Sequence, residues 1–248
     1  MTISYILSEF SELHYKQFDG LLLYFLPYTP YDERSYKEVF IDSYYSASNK
    51  LYHTETQIME EFRQNSITAA RFTGDLKRLF VTFFDAKRLR NSLVAIEPFG
   101  SRIVLGAMEI KDTAISYAPL SYGDYHPLCK NCIACERACP TGAIAAQSGK
   151  NCIREWQNQN YIRPKRRKLM GNKLLGCDLC QRCCPLNANA KPVFADNVLT
   201  NITLQSLLKG SDLHRLIGKN FARPKRIAAH ARGIIKIGNM EQGIENKE

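Results

Sequence analysis

The amino-acid sequence predicts an α+β protein of three parts: a mixed α/β region over residues 1–120, a cysteine-rich region over 121–193 and a short helical region over 194–248. Three observations support this division. Short apolar runs and a long amphipathic stretch alternate in the first part, all nine cysteines lie in the second, and leucines recur at helical spacing in the third. The hydrophobic content of 45% and the charged content of 23% are those of an ordinary globular chain.

The first region contains candidate strands and one long candidate helix. Leu21–Leu26 is a short apolar run that ends at a proline, which is typical of a buried strand. Tyr44–Gln64 holds no Pro or Gly, and its apolar residues recur at near-helical spacing, which predicts a helix. Ser92–Glu97 and Arg102–Ile110 predict two strands joined by a turn that contains Pro and Gly.

The two ends of the chain give simpler expectations. From Leu199 onward the leucine pattern predicts helices, with Asn246–Glu248 as a frayed end. The first residues show neither the basic nor the long apolar part of a secretory signal. The apolar run near residue 21 is too short to span a bilayer. These features predict a cytoplasmic protein without a membrane anchor.

The cysteines form two runs with one cysteine between them. In a reducing compartment, such clustering favours a metal centre over disulfides. The first run, Cys129-x2-Cys132-x2-Cys135-x3-Cys139 followed by Pro140, has the spacing of bacterial ferredoxins. Two-residue gaps let one tight loop direct three thiolates at one [4Fe–4S] cluster, while the fourth thiolate points to a neighbouring cluster. The spacing therefore predicts a ferredoxin-like domain with two [4Fe–4S] clusters.

The second run is shorter, because Asn187 stands where a symmetric ferredoxin has a cysteine. It reads Cys177-x2-Cys180-x2-Cys183-Cys184. Two clusters need eight thiolates, so one of the nine cysteines is spare. A proline follows Cys184 as one follows Cys139, which favours Cys184 as the counterpart ligand. Cys183 is then the spare thiol, although a ligand role for it stays open, and Cys152 is the natural eighth ligand.

These choices define two ligand sets. We expect one cluster on Cys129, Cys132, Cys135 and Cys184, and the other on Cys139, Cys152, Cys177 and Cys180. Zinc is the alternative, because paired C-x2-C elements also bind that ion. A third cysteine at the next two-residue gap is unusual in zinc sites and favours iron–sulfur clusters.

A strong basic bias marks the C-terminal part, where residues 161–236 carry 16 Lys and Arg against 3 Asp and Glu. Lys and Arg contacts to phosphates give sequence-independent affinity for nucleic acid. The candidate contact residues are Arg163, Lys165, Arg166, Arg167 and Lys168 in one segment, and Arg223, Lys225 and Arg226 in the other. A solvated basic face, or a docking site for an acidic redox partner, explains the charge equally well.

The cysteine-rich region resembles the iron–sulfur module of the epoxyqueuosine reductase family. The matching stretches are CKNCIACERACPTGAI, KNCI around Cys152 and GNKLLGCDLCQRCCPLN, with PFGSRIVLGAMEI and HARGIIKIGN similar on either side. The resemblance implies Cys152 and Cys184 as ligands in preference to Cys183. It also implies reduction of an epoxide on a modified tRNA nucleoside with cobalamin, through clusters that receive electrons from a ferredoxin- or flavodoxin-type donor.

Two segments of that family are not matched. The acidic segment that supplies its general acid is replaced by TGDLKR, in which Asp75 is the nearest carboxylate, and its glycine-rich cofactor segment is replaced by FDAKRLRN. The sequence therefore names no catalytic residue, and cobalamin stays an open expectation. We expect Asp75 to be an ordinary surface carboxylate.

Three functions fit these features. The first is a reductase related to that family, which predicts a large pocket between the N-terminal region and a cluster. The second is a non-catalytic, ferredoxin-like carrier that feeds electrons to a partner enzyme. The third is a tRNA-binding module whose clusters are structural.

Overall fold

The computed structural model describes residues 2–31, 38–111, 120, 122–188, 190, 197–209 and 213–241. Contacts within it divide the chain into two units, each built from segments that are not consecutive. Unit 1 consists of Met1–Thr29, Ala47–Ile133 and Gln181–Phe194, and unit 2 consists of Pro30–Ser46, Ala134–Cys180 and Ala195–Glu248. The division into three consecutive regions stays a prediction.

The described residues contain both helices and strands, which agrees with the predicted mixture of α and β structure. The first half contains α1 (Ile3–Ser8), β1 (His14–Phe18), β2 (Leu21–Pro27), β3 (Phe40–Ile41), α2 (Tyr44–Gln64), β4 (Ala69–Arg71), α3 (Leu76–Phe83), β5 (Lys87–Arg88), β6 (Val94–Ala95) and β7 (Ile103–Ile110). The second half contains α4 (Ala134–Ala138), α5 (Ile153–Trp156), α6 (Pro164–Met170), β8 (Lys173–Leu175), α7 (Leu179–Arg182), α8 (Pro185–Ala188), α9 (Leu204–Leu208), α10 (Leu213–Ile217) and α11 (Pro224–Glu241).

An antiparallel sheet in the order β1-β2-β7-β4 forms the centre of unit 1. Every residue of β2 is buried, because this strand has a partner on each side and apolar side chains on both faces. Its register with β7 sets Leu23 opposite Ala107. The buried strand predicted at Leu21–Leu26 is confirmed and extends by one residue, to Pro27.

Helix α3 covers one face of this sheet. Its fully buried residues Leu79 and Phe80 belong to the same apolar core as Phe25 and Ile103. The helix begins after Asp75, whose carboxylate accepts the Arg78 backbone N–H at 3.2 Å. Such a cap satisfies a donor that the helix itself leaves unpaired. Asp75 is thus an exposed capping residue.

Of two further predicted elements, the helix over Tyr44–Gln64 is confirmed and the strand over Ser92–Glu97 is shorter than predicted. The long helix has the predicted bounds, Tyr44–Gln64. The strand predicted over Ser92–Glu97 is reduced to Val94–Ala95 and pairs with β5 instead of β7. Ser92 has φ +64°, which is incompatible with a strand, and beyond β6 the chain closes a tight turn in which Ile96 N–H donates to the Gly100 carbonyl at 3.0 Å.

Unit 2 is mainly helical and has its own apolar core. Helix α11 packs against α6, α9 and β8, and the short parallel pair β3–β8 lies beside it. Buried residues of this core include Ile41, Leu174, Leu207 and Ile227. The helices predicted after Leu199 are confirmed, whereas the predicted frayed end lies outside the described residues. None of the helices described is long and apolar enough to cross a membrane.

Candidate metal centre and cavity

The first run of cysteines begins on a short 3-10 helix of unit 1, Pro127–Lys130, which carries Cys129. Its last turn continues to Cys132, whose N–H donates to the Leu128 carbonyl at 3.2 Å. A tight turn of this kind is what a two-residue gap between cluster ligands requires.

Cys184, from the second run, lies near the start of the first run within unit 1. Burial raises the pKa of the Cys184 thiol, and the neighbouring thiols of Cys129 and Cys132 raise this pKa further. Three members of the first predicted ligand set are therefore neighbours in the fold, although Cys184 is 55 positions from Cys129 in sequence. The fourth member, Cys135, lies on α4.

Cys183 shares part of this environment. Burial raises the pKa of its thiol, with further contributions from Cys184 and Cys132. Its position beside these thiols leaves open which of the two adjacent cysteines is the ligand. The preference for Cys184 stays a prediction.

The second predicted ligand set lies entirely in unit 2. Cys152 immediately precedes α5, and Cys180 lies on α7. Burial raises the pKa of the Cys177 thiol to about 11, and nearby groups that raise it include the Cys152 thiol. The fold thus brings Cys152 close to Cys177, although the basic segment 163–168 separates them in sequence.

Cys139 differs from these thiols in its hydrogen bonds. Burial raises its pKa, but hydrogen bonds from Thr141 and from the backbone N–H groups of Ala143 and Ile144 outweigh burial and hold the pKa below its ordinary value. The Cys139 Sγ and Thr141 Oγ1 atoms lie 3.4 Å apart. Donors around a sulfur stabilise the thiolate, the form that ligates iron.

No group of three or more His, Cys, Asp or Glu side chains in the described part of the chain gathers around one position for a single metal ion. In a [4Fe–4S] cluster each thiolate binds its own iron at a separate corner. The nine cysteines form no disulfides.

A cavity of about 860 Å³ opens in unit 1 beside the sheet. Its apolar wall includes Phe25, Phe84 and Phe99, and the imidazole of His14 packs against two of these rings, with its centroid 4.9 Å from that of Phe25 and 4.4 Å from that of Phe99. Charged residues also line it: Lys16, Asp85, Lys87 and Glu97. An apolar cavity of this size with a few polar groups is typical of a small-molecule or cofactor site.

One wall of this cavity leads directly to the first cysteine run. His126 and Pro127 line the cavity, and Pro127 begins the helical turn that carries Cys129. The His126 Nδ1 atom accepts the Leu128 N–H at 3.2 Å, so the proton of the neutral ring lies on Nε2, which donates to the Glu97 carboxylate at 3.2 Å. The cavity is the candidate for the pocket that the reductase hypothesis predicts.

Comparison with known proteins identifies similar sequences for part of this chain. A protein-family model described as a 4Fe-4S double cluster binding domain matches residues 128–187. The epoxyqueuosine reductase of Listeria monocytogenes is 30% identical over 157 residues, which cover 59% of this chain and 39% of that protein. That of Alicycliphilus denitrificans is 34% identical over 134 residues, covering 52% of this chain and 35% of that protein.

The chain is similar to epoxyqueuosine reductases over these stretches. Its cysteine-rich region is a 4Fe–4S cluster-binding domain, as the spacing predicted, rather than a zinc site. The chain spans well under half the length of these two curated relatives.

Solved structures of epoxyqueuosine reductases share the fold. The Bacillus subtilis enzyme superimposes with a TM-score of 0.64 at 20% identity, over 92% of this chain and 69% of that chain. An epoxyqueuosine reductase solved with a tRNA stem loop gives a TM-score of 0.58 at 22% identity, over 87% of this chain and 64% of that chain.

The basic residues proposed for nucleic acid fall into two groups in the structure. Arg163, Lys165, Lys168, Arg223 and Lys225 are exposed, and Arg166 is half-buried with its guanidinium 4.8 Å from the Trp156 ring centroid. Arg167 and Arg226 are buried instead, with 3% and 9% of their surface exposed.

The buried arginines have structural contacts that the sequence pattern did not reveal. Arg167 Nη2 donates to the carbonyls of Gly171 and Lys173 at 3.0 and 2.7 Å, and burial lowers its pKa to about 10. Arg226 Nη2 donates to the Phe221 carbonyl at 3.2 Å. Both side chains serve the packing of unit 2 in this structure, so the exposed residues are the better candidates for a phosphate contact.

The cavity residues were missed by sequence reasoning. Its lining comes from β1, β2, the ribbon β5–β6 and the turn before Cys129, which are far apart in sequence. Only the alternation of His14 and Lys16 on β1, two positions apart on one face of a strand, is a local signal for it.

Proposed function

We propose that this chain is an iron–sulfur oxidoreductase in which two [4Fe–4S] clusters pass electrons to a molecule bound in the 860 Å³ cavity of unit 1. The observation that carries the proposal is the wall shared by the cavity and the cysteine motif, because Pro127 lines the one and begins the turn of the other. A carrier without a substrate site has no need of such a cavity.

The ligand sets that we propose are the ones that the cysteine spacing predicts. One cluster is held by Cys129, Cys132, Cys135 and Cys184, and the other by Cys139, Cys152, Cys177 and Cys180. Support comes from the proximity of Cys184 to Cys129 and Cys132, and of Cys177 to Cys152. The matched domain is described as a double-cluster domain, which agrees with two clusters.

The protein's own groups at the cavity define what it does for a bound acceptor. The rings of Phe25, Phe84 and Phe99 present a flat apolar surface that excludes water. His126, with its Nε2 proton directed to Glu97, is a group of this wall that can hold and deliver a proton. A reduction that consumes protons needs such a donor near the electron entry point.

Cobalamin is the acceptor that the resemblance to epoxyqueuosine reductases suggests for this cavity. The residues present fit a large planar group, with an aromatic wall for its face and Lys16, Lys87 and Glu97 for polar edges. When bound, a corrinoid supplies a strongly reducing metal centre. The absence of the family's glycine-rich cofactor segment makes this the part of the proposal that most needs a direct test.

We further propose tRNA as the substrate and the cytoplasm as the location. A relative of the same fold was solved with an epoxyqueuosine-modified tRNA stem loop. The net charge of +10 and the exposed basic residues of unit 2 favour a polyanionic partner. The electron donor that we propose is a ferredoxin- or flavodoxin-type protein.

Anaerobic purification followed by iron counting, visible and EPR spectroscopy, and cobalamin titration tests this function. We expect about eight iron atoms per chain, four for each cluster, and a spectral change when cobalamin is added to the reduced protein. Phe99→Ala, which opens the aromatic wall, should weaken the uptake of cobalamin without loss of iron. Lys111→Ala, an exposed substitution outside the cavity, is the matched control.

Two outcomes would contradict the proposal. Iron near four per chain in protein with all cysteines intact would exclude two clusters. Full iron content with neither cobalamin uptake nor reduction of a tRNA substrate would instead identify an electron carrier.

A further inference from the structure

A second, smaller cavity of about 250 Å³ lies in unit 1. It is lined by the start of α3, by the loop between β5 and β6, and by Tyr122 and Tyr125. None of its lining residues lines the larger cavity. The ribbon β5–β6 separates the two: the cross-strand pair Lys87 and Ala95 faces the larger cavity, and the next pair, Arg88 and Val94, faces the smaller one.

Arginine and tyrosine side chains alternate around this second cavity. The Arg78 guanidinium lies 4.5 Å from the Tyr122 ring centroid, and that of Arg88 lies 5.3 Å from the same centroid. Arg88 also lies 4.7 Å from the Tyr125 centroid. Tyr122 and Tyr125 are 56% and 50% exposed, which is unusual for large aromatic side chains that have a core function. Their rings are thus available to a ligand.

Among the residues that the structure describes, no carboxylate forms an ion pair with Arg78 or Arg88. Arg78 donates to the Leu120 carbonyl, and its Nε atom is buried without a hydrogen-bond partner among the residues described. Arg88 donates to the Gly123 carbonyl and the Tyr125 hydroxyl, each at 3.4 Å. These acceptors are neutral, so both guanidinium groups retain a net attraction for an anion.

One carboxylate and one further cation complete the lining. Asp75 uses its carboxylate to cap α3, as described above. Lys77 Nζ donates to the Ser92 carbonyl at 2.7 Å. The residues that line the cavity therefore include three cations and one carboxylate, a net positive charge that favours an anionic ligand.

The turn that carries the two tyrosines is held close to α3. Gly123 has φ +59°, and a Cβ at this position would lie 2.4 Å from Val81 Cγ1. Only glycine allows this approach, so the sequence at Gly123 fixes the position of Tyr122 over the cavity. Preorganised aromatic rings bind a planar group at a low entropic cost.

We propose that this second cavity is a nucleotide-binding site, in which a base stacks on Tyr122 and the adjoining phosphate pairs with Arg78 and Arg88. Aromatic rings and guanidinium planes are the surfaces on which proteins hold unstacked bases. A phosphate with bidentate contacts to arginine supplies the missing counter-charge. The nucleotide is either free or part of a single-stranded RNA; the second source rests on the proposed function, because it places one nucleotide of the substrate across the ribbon from the reaction cavity.

Binding to the cluster-loaded protein tests this site without reference to catalysis. The probes are adenosine 5′-monophosphate, followed by calorimetry, and a short fluorescein-labelled single-stranded oligoribonucleotide, followed by fluorescence anisotropy. Tyr122→Ala should weaken binding by about five-fold or more, because one stacked base is lost, whereas Tyr122→Phe keeps the ring and should bind within about two-fold of the native protein. Arg88→Gln should also weaken binding and reduce its salt dependence.

The controls separate this site from general effects. Tyr5→Ala removes a tyrosine that has the same exposed fraction, 56%, but lies on α1, and it should leave binding unchanged. Iron content of each variant reports whether the fold and the clusters are intact. Dependence of both probes on Tyr122 supports a site for nucleotides in general, and dependence of the oligoribonucleotide alone supports RNA as the source.

Native affinity of Tyr122→Ala for both probes, or no binding of either probe by the native protein, would overturn the proposal. Neither result bears on the clusters or the larger cavity, since cobalamin uptake and iron counting report on those separately. Conversely, if the proposed reductase function proves wrong, nucleotide binding should still weaken in Tyr122→Ala.

Discussion

The Asn187 side-chain carbonyl accepts the Ser101 backbone N–H at 2.8 Å, which ties the second cysteine run to the turn between β6 and β7. Both residues are buried. Asn187 Nδ2 also donates to the Ser101 hydroxyl at 3.0 Å and to the Gln181 carbonyl at 2.8 Å. The residue that stands in place of a ferredoxin cysteine therefore has a structural role. Its amide is a stronger hydrogen-bond donor and acceptor than a thiol.

Asn187→Ala should destabilise unit 1, because it leaves the Ser101 N–H buried without a partner. An orphaned buried donor of this kind costs about 1–3 kcal/mol. Hydrogen exchange measured by mass spectrometry should show faster exchange in the peptide that contains Ser101. Peptides of α11 in unit 2 should exchange as in the native protein.

Asn187→Asp is the sharper companion variant. It keeps the acceptor for Ser101 N–H and loses only the donor, so we expect a smaller increase in exchange than for Asn187→Ala. Equal exchange in native protein and Asn187→Ala would show that this hydrogen bond does not hold the turn.

Adjacent Cys183 and Cys184 offer a matched pair for the ligand assignment. Cys184→Ala should lower the iron content by about half, because a cubane that loses one of its four thiolates is poorly retained. Cys183→Ala should leave the iron content at the native value. Iron and sulfide counting on anaerobically purified protein measures both.

Cys177→Ala and Cys139→Ala extend the test to the other ligand set, and each should also remove one cluster. Loss of iron from Cys183→Ala with full iron in Cys184→Ala would reverse the assignment of these two neighbours. It would leave the two-cluster proposal itself in place.

Gly176, the residue before Cys177, is required by its backbone and its surroundings. It has φ +82°, and a Cβ there would lie 2.3 Å from the Asp42 Cβ. Its N–H donates to the Gln157 side chain at 2.7 Å, and its carbonyl accepts from the same side chain at 3.1 Å. Gly176→Ala should therefore destabilise unit 2 by more than about 2 kcal/mol, through backbone strain and displacement of β3.

Gly171→Ala is the control for backbone strain alone, since Gly171 has φ +58° and open space at the Cβ position. We expect it to cost about 1–3 kcal/mol, because residues with a side chain rarely adopt the Gly171 backbone conformation of φ +58° and ψ −132°. Fluorescence of Trp156, the single tryptophan and a buried residue of unit 2, follows urea unfolding of that unit. Equal midpoints for the two variants would show that the contact with Asp42 relaxes without cost.

The sequence was informative where local pattern decides structure. The β2 run and the bounds of α2 followed from apolar spacing and from the absence of Pro and Gly, and the cluster-binding domain followed from cysteine spacing. The pairing of β6 with β5 could not be predicted from the sequence. The positive φ of Ser92 and the turn at Gly100 limit β6 to two residues, and neither feature is visible in the apolar pattern. Local pattern does not report such tertiary turns.

Long-range assembly explains what else was missed. The two cavities combine residues from strands and turns up to about a hundred positions apart, so no single segment shows them. Counting charges predicted Arg167 and Arg226 as phosphate contacts together with their exposed neighbours. In a basic segment, the sequence alone does not show which side chains face the core, because that depends on the helix that packs against it. Helix α11 supplies that partner for Arg167, with Gly233 beside its aliphatic stem.

The exposed lysines of α6 give the last prediction, which separates nucleic-acid contact from packing on a single helix. Lys165 and Lys168 are exposed, whereas Arg167 between them is buried. The double variant Lys165→Ala, Lys168→Ala should weaken tRNA binding and lower the slope of log affinity against log salt by about 1 to 2, because up to two phosphate contacts release fewer counterions. Lys111→Ala together with Lys50→Ala removes the same charge from unit 1 and controls for net charge. If the two double variants show the same affinity and the same slope, α6 makes no phosphate contact and the basic face acts only through its overall charge.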